Sequence, residues 1–428
     1  MSESRDSARM RPGVRGLVGI FMAFATLSFC LLAQSASAAK LTVLHAFCSD
    51  DYCTDGSSPM GTPALDAAGN IYGTTQGTNS VYAGFPYGTV FKLSPTKVFT
   101  RLHEFCSLSG CDDGIYPQSD ITLDAKGNLY GVATMGGTRE KGVVFKISPA
   151  GALTTLHSFC SNEISYICVD GNQPQGSIVL DKTGTVYGLT ASGGKHNYGL
   201  LYEVGADEKL TQGYSFCGAT SCADGESPDG RLLNDGKGNL YGVTYYGGGH
   251  GYGEIFKFTI ATRRVTVLYS FCKLSGCPDG AYPHGGLVMD NAGNVYGVTS
   301  YGGGSANGGI LYKITPGKTL SVLRKFCALS YCTDGDRPNG ALAINKAGVI
   351  YGTTGAGGNT SGRGVLFSYD TVKKAYKLTY SFCAQTSCTD GATPAVNSGV
   401  AIDKYGTLYG TTTYGGTGNQ GIVYKIIP

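Results

Sequence analysis

The chain has no tryptophan, and only 15% of its residues are charged. The formal charge of +3 falls to +1 once the first 38 residues are set aside, because Arg5, Arg9, Arg11 and Arg15 there outweigh Glu3 and Asp6. A nearly neutral product offers no electrostatic case for nucleic acid or for an anionic membrane surface. Beyond Ala33 no apolar run is long enough to cross a bilayer as a helix. No HExxH, phosphate loop, dinucleotide fingerprint or Ser/His/Asp arrangement is recognisable. What the chain does have is 67 Gly and 29 Tyr, a composition of many short strands and tight turns rather than of helices.

Residues 1–38 differ from the rest. The four arginines precede an apolar run from Leu17 to Ala33, and Ala36-Ser37-Ala38 then provides a small-residue cleavage site. This is the pattern of a secretory signal peptide. The bulky Phe29 before Cys30 argues against a lipoprotein anchor. The expected mature product, residues 39–428, is a monomer, secreted or periplasmic and free of the membrane.

Apart from Cys30, the cysteines form seven close pairs: Cys48 with Cys53, Cys106 with Cys111, Cys160 with Cys168, Cys217 with Cys222, Cys272 with Cys277, Cys327 with Cys332, and Cys383 with Cys388. Each pair lies in the frame F-C-x(4 or 7)-C-x-D-G-x-x-P, and the first cysteines recur every 54 to 58 residues. In an exported chain such pairs read as disulfides. A zinc site per repeat would need two further ligands, and six histidines are not distributed to supply them. A loop this short should stabilise each repeat by about 2 kcal/mol through chain entropy.

Between cysteine pairs each repeat carries four strand signals, a to d, seen in the fifth as 285–290, 294–299, 308–315 and 319–326. A D/N-x-x-G turn links a to b, its glycine suiting a left-handed hairpin position. Four antiparallel strands at a period of about 55 residues match a propeller blade better than a solenoid coil. The last repeat stops after strand c, whereas residues 41–47 begin the mature chain as a lone strand d. The two halves complete one blade. The expected fold is therefore all-β: a seven-bladed β-propeller of four-stranded antiparallel blades, closed by the N-terminal strand, which leaves no open edge at the seam.

With F-C-x4-C-x-D-G-x-x-P, D-x-x-G-N-[LIV]-Y-G-x-T, the following Gly-Gly and G-[VI]-[VL]-[FY]-K-[IL] in view, residues 41–428 resemble the GloVer-type tandem-repeat family of extracellular proteins. The resemblance implies export and a tandem-repeat β architecture and defines no biochemical role. The Gly-Gly after strand b also looks like kelch repeats, but those expect a tryptophan that is absent here.

A residue present in every repeat builds repeats, and one present once is free to do something particular. The D-G aspartates, Asp55, Asp113, Asp170, Asp224, Asp279, Asp334 and Asp390, are universal and read as turn residues. Calcium, with Asp50, Asp51 and Asp55 as its best cluster, would need more oxygens than one loop offers. His45, His103 and His157 share their position with Tyr214, Tyr269, Arg324 and Tyr380, which suggests a mixed surface position. The strand-b tyrosines, such as Tyr72 and Tyr296, are expected to pack between blades.

Unrepeated side chains fall in the b-to-c and d-to-a loops, which share one face of a propeller. The binding candidates there are Tyr82, Phe85, Tyr87, Arg139, Tyr166, His196, Tyr198, His250 and Tyr252, with Lys141 and Glu163 beside them. His196, His250 and Glu254 are the only acid/base candidates; Glu254 is expected at a partly exposed strand end. No metal or cofactor is expected. The expectation for function is a non-catalytic module binding a glycan, peptide or cell-envelope component, with a hydrolase or lyase of an extracellular polymer, or a purely structural envelope protein, as alternatives.

Overall fold

A computed structural model describes residues 39–50, 52–77, 87–394 and 398–428. The segment read as a signal peptide lies outside them, as do Tyr82, Phe85 and Asp51. Among the described residues no helix is long and apolar enough to cross a membrane.

The chain forms seven antiparallel blades. Blade 1 runs from Ser57 to Glu104, blade 2 from Thr122 to Ser158, blade 3 from Asn172 to Ser215 and blade 4 from Glu226 to Ser270. Blade 5 runs from Ala281 to Lys325, blade 6 from Asp336 to Ser381, and blade 7 from Ala392 to Ile427. In blade 5 strands a to d are Ala281–Met289, Val295–Tyr301, Ile310–Ile314 and Leu320–Lys325, within a few residues of the sequence reading. Strand d of blade 7 is the N-terminal Lys40–Ala46, paired antiparallel to Ile422–Ile427 from Lys40 opposite Ile427 to Ala46 opposite Ile422. The ring closes as the two half-blades imply.

The period-2 alternation of each strand sends one set of side chains into a joint with the neighbouring blade. Accordingly the core is not one mass but seven clusters, one per joint. Phe105 and Val90 of blade 1 meet Ile121, Leu129 and Phe145 of blade 2. Phe47 and Val423 meet Ile71, Phe91 and Leu93 at the seam between blades 7 and 1. The phenylalanine of every Phe-Cys pair packs edge-on or tilted against the aromatic residue of strand c in the next blade, as in Phe105–Phe145 and Phe216–Phe256, both edge-on with ring centres 5.1 Å apart. The Phe-Cys motif is thus an inter-blade rivet as well as a disulfide.

Strands a surround the axis at close quarters. A β-carbon on Gly230 would lie 2.0 Å from the carbonyl oxygen of Gly285, and one on Gly285 would lie 2.6 Å from that of Gly340. Small residues at this level are therefore a packing requirement.

All seven disulfides form as paired in the sequence: Cys48 to Cys53, Cys106 to Cys111, Cys160 to Cys168, Cys217 to Cys222, Cys272 to Cys277, Cys327 to Cys332 and Cys383 to Cys388. Cys53, Cys160 and Cys168 are buried, and Cys388 is half-buried. Both cysteines of six pairs have positive φ, between 45° and 60°, a conformation that side chains with a β-carbon rarely adopt. The D-G aspartate organises the loop around them. In each blade its carboxylate accepts a backbone N–H from the first cysteine or the residue after it, for example Ser107 N at 3.0 Å on Asp113 and Gly218 N at 3.0 Å on Asp224. It accepts a second bond from strand d: His45 at 2.8 Å, His103 and His157 at 3.0 Å, Tyr214 at 2.7 Å, Tyr269 at 2.8 Å, Tyr380 at 2.6 Å, and Arg324. The mixed position is therefore corrected. It is a half-buried donor to a carboxylate that is buried in five blades and half-buried at Asp55 and Asp279, rather than a surface position, and histidine, tyrosine and arginine interchange because each brings an N–H or O–H. Burial pushes the Asp113 and Asp170 carboxyls up, but donors from His and Ser side chains and the loop backbone outweigh it and leave both below the usual range.

Candidate functional site

The Gly-Gly loops and the disulfide loops do share a face. The second glycine of the pair donates its N–H to the carbonyl of the second cysteine, as Gly137 to Cys111, Gly248 to Cys222 and Gly303 to Cys277, each at 2.9 Å. Neighbouring blades are then tied together along this rim. The residue before the motif proline, always at positive φ, donates its N–H to the b-to-c loop of the preceding blade, as Ser227 to Tyr198 at 2.8 Å and Tyr282 to Tyr252 at 2.9 Å.

This ladder sets the spacing of rim side chains, and at the joint of blades 4 and 5 it gathers tyrosines. Tyr282 is the hub. Its ring centre lies 5.1 Å from Tyr245, 5.6 Å from Tyr246, 5.5 Å from Tyr252 and 5.8 Å from Tyr301. Tyr245 and Tyr282 stack nearly parallel, while Tyr246, Tyr252 and Tyr301 approach edge-on. Tyr246 and Tyr252 keep 44% and 38% of their surface in solvent, so the cluster is a surface and not a core. Burial, with Tyr246, Tyr301, Asp229 and Tyr282 close by, pushes the Tyr245 phenol up; Tyr282 is raised in the same way. The hydroxyls of Tyr245 and Tyr282 therefore stay protonated and able to donate at neutral pH.

Toward the axis the cluster ends on a histidine–aspartate pair. His284 Nε2 lies 3.0 Å from Asp229 Oδ2, its Nδ1 lies 3.2 Å from the carbonyl oxygen of Asn339, and its ring meets Tyr245 edge-on at 5.8 Å. Because the Asn339 carbonyl only accepts, the Nδ1 nitrogen carries the proton. On the outer side the guanidinium of Arg337 stands over Tyr301, 5.6 Å from the ring centre.

The cluster is unrepeated. At the positions of Tyr245, Tyr252 and Tyr282 blade 6 and its joint carry Gly355, Arg363 and Thr393. Of its five tyrosines the sequence reading singled out only Tyr252. Aligning the repeats column by column is the signal that would have found the others: the columns of Tyr252 and Tyr282 also hold Tyr87 and Tyr116 at the joint of blades 1 and 2, but only at blades 4 and 5 do Tyr245, Tyr246 and Tyr301 join them. The remaining candidates are spread around the rim. Tyr87 is half-buried against the blade 2 core, Arg139 is exposed, Tyr166 is 95% exposed at the tip of the enlarged disulfide loop, and Tyr198 is exposed one joint before the cluster. Tyr82 and Phe85 lie outside the described residues.

The acid/base candidates differ in their surroundings. His250 is exposed, and His196 is half-buried, one blade away. Glu254 is corrected from a partly exposed strand end to a side chain with no exposure at all, neither of whose carboxylate oxygens has a hydrogen-bond partner. Burial, and to a lesser degree the charge of Asp224, push its carboxyl up to about 8. Among the described residues two groupings have metal-like spacing, Cys217, Cys222 with Glu226 and Cys327, Cys332 with Asp336. Each contains a closed disulfide, which leaves no thiolate to bind. Asp50 of the calcium cluster is already taken up by Tyr52 N–H and Thr54.

A family model of the Gloeobacter/Verrucomicrobia repeat matches residues 30–168, 164–332 and 278–428. The chain belongs to this family. No curated protein matches it. Among solved structures, the repeat protein is similar to an oligogalacturonate lyase in complex with manganese, at 12% identity and TM-score 0.52 over 92% of this chain and 94% of that one. An oligogalacturonate lyase from Vibrio parahaemolyticus gives 12% identity and TM-score 0.51 over the same shares. At such identities the likeness is one of fold alone.

Proposed function

We propose that this Gloeobacter/Verrucomicrobia repeat protein is an exported, non-catalytic recognition module that binds a glycan at the rim between blades 4 and 5. The observation that carries this reading is the convergence of Tyr245, Tyr246, Tyr252, Tyr282 and Tyr301 on one surface, at one joint of seven. Tyrosine offers a broad rigid face for the apolar side of a sugar ring and a hydroxyl for its polar edge, at little entropic cost. The disulfide at each blade and the ladder of inter-blade bonds hold that surface in place before ligand arrives, which favours affinity. Seven disulfides fit an oxidising compartment and so support export.

The test is a glycan array probed with the oxidised protein beside a Tyr246→Ala/Tyr252→Ala variant, both exposed positions whose loss leaves the core intact. Specific binding lost in the variant supports the reading; binding that persists places recognition elsewhere. A lyase or hydrolase is the second reading, favoured by the Asp229–His284 pair next to the tyrosines. Release of shorter oligosaccharides from a bound polymer would distinguish it.

A further inference from the structure

We propose that the central cavity on the face opposite the rim binds an aliphatic acyl compound, whose carbonyl or carboxylate oxygens are held by Arg231. This goes beyond the recognition reading and does not depend on it. The cavity, of about 580 Å³, is lined from all seven blades by the halves of strands a that lie away from the disulfide loops. That volume suits a small ligand.

The wall is aliphatic and open. Val179, Val288, Ala343, Ile344, Ala401 and Ile402 are each half-buried there, so hydrocarbon surface faces solvent and an alkyl chain gains by covering it. Among the described residues no aromatic ring lines the cavity, which removes the stacking face that a sugar ring uses.

Apolar side chains line the cavity from every blade, but Arg231 is unrepeated. The same column holds Thr62, Asp120, Ser177, Gly286, Ala341 and Gly399 in the other blades. One edge of its guanidinium is in use: Nε lies 2.9 Å from Asp120 Oδ2, and Nη2 contacts the same oxygen. The other fork, made by Nη1 and the second N–H of Nη2, has no partner among the described residues. Asp120 is closed to a ligand, being 7% exposed and accepting the Thr62 N–H on its second oxygen, whereas the arginine keeps a third of its surface in solvent. The pair therefore shows the cavity its donor side. The threonines nearby are engaged: Thr122 donates its hydroxyl to the Ile178 carbonyl, and that of Thr62 accepts the Gly399 N–H, each at 2.8 Å. An open fork of donors on a hydrocarbon wall is completed by oxygen acceptors at the end of an alkyl chain. An ammonium head would face the guanidinium's own charge.

The experiment titrates octanoate, methyl octanoate and octylammonium into the oxidised protein by calorimetry, with acetate as the head without its chain. Both acyl probes should bind about tenfold more tightly than octylammonium, and acetate should not bind. Arg231→Met/Asp120→Asn leaves neither partner as an uncompensated charge and should abolish the preference. Ala343→Phe fills the cavity from blade 6 and should abolish binding of every probe, with circular dichroism checking that both variants are folded. Equal affinity for the three eight-carbon probes, or a preference that survives the double variant, would overturn the assignment to Arg231. Binding that survives in folded Ala343→Phe would place the ligand outside the cavity. No binding of either acyl probe to the unaltered protein would overturn the site.

Discussion

Arg231 of blade 4 pairs with Asp120 of blade 2, past the whole of blade 3. The guanidinium Nε lies 2.9 Å from Asp120 Oδ2, with an Nη in contact with the same oxygen, and Asp120 also accepts the Thr62 N–H of blade 1. The pair lines a central cavity of about 580 Å³ whose wall is otherwise mainly aliphatic, including Ile121, Ile178, Leu232, Leu342 and Val400. One carboxylate thus links three blades around the axis.

Removing Arg231 should therefore cost more than a surface ion pair. Arg231→Met leaves Asp120, only 7% exposed, without its counter-charge, and the expected loss is about 1 to 3 kcal/mol, Arg231 being a third exposed. Urea unfolding of Arg231→Met beside Asp120→Asn/Arg231→Met checks it: the double variant should recover part of the loss. Equal stability of all three proteins would show that the pair contributes nothing.

Glu254 gives a pH dependence whose sign is determined. Its carboxyl is raised from the ordinary 4.5 to about 8 by burial, so the folded chain holds a proton that the unfolded chain releases. Its contribution to stability is full below pH 4.5 and is lost as pH rises to about 8. Glu254→Leu, the residue found at the equivalent Leu200, should remove this dependence and be more stable at pH 9 by a few kcal/mol, roughly. Denaturation midpoints at pH 5 and pH 9 measure it, and parallel shifts in the two proteins would contradict it.

Three buried phenols lack partners. Tyr202, Tyr312 and Tyr424 have no exposure, and none of their hydroxyls makes a hydrogen bond. The same strand-c position is Phe91, Phe145, Phe256 and Phe367 in the other blades. Because a buried unpaired hydroxyl costs about 1 to 3 kcal/mol, each Tyr→Phe change should be neutral or stabilising, and the triple variant should melt at a higher temperature. A lower melting temperature would mean that the hydroxyls are satisfied by ordered water.

The seam can be tested by removing its strand. Without Lys40–Ala46, Ile422–Ile427 becomes an exposed edge, the seam cluster loses Leu44, and the cluster between blades 6 and 7 loses Leu41 and Val43. The truncated protein should be cleaved by protease in blade 7 first, and a synthetic peptide of residues 39–50 should restore resistance. A truncated chain as resistant as the whole would show that closure by this strand is dispensable.

The repeat made the fold legible. The Phe-Cys-Asp-Gly frame identified disulfides, blade boundaries and the rim face, because each is a local consequence of a motif that recurs seven times. The role of the mixed histidine position was not legible, since its partner aspartate lies ten or more residues on, across a loop whose path only the closed disulfide shows. Glu254 was misplaced for a related reason. A strand end is exposed or buried according to the loops folded over it, and here Gly225 and Gly248 bring theirs down onto its carboxylate.

The sequence by itself determined the seven-fold period, the pairing of cysteines and the need for the first strand to complete the last blade, because these follow from spacing and from the requirement that every strand edge be paired. Only the tertiary structure decided which unrepeated residues meet. Tyr245, Tyr252, Tyr282 and Tyr301 are separated by up to 56 positions, and Asp120 and Arg231 by 111. Their approach depends on how far each blade is rotated about the common axis, and that rotation is set by the packing of the seven joints together.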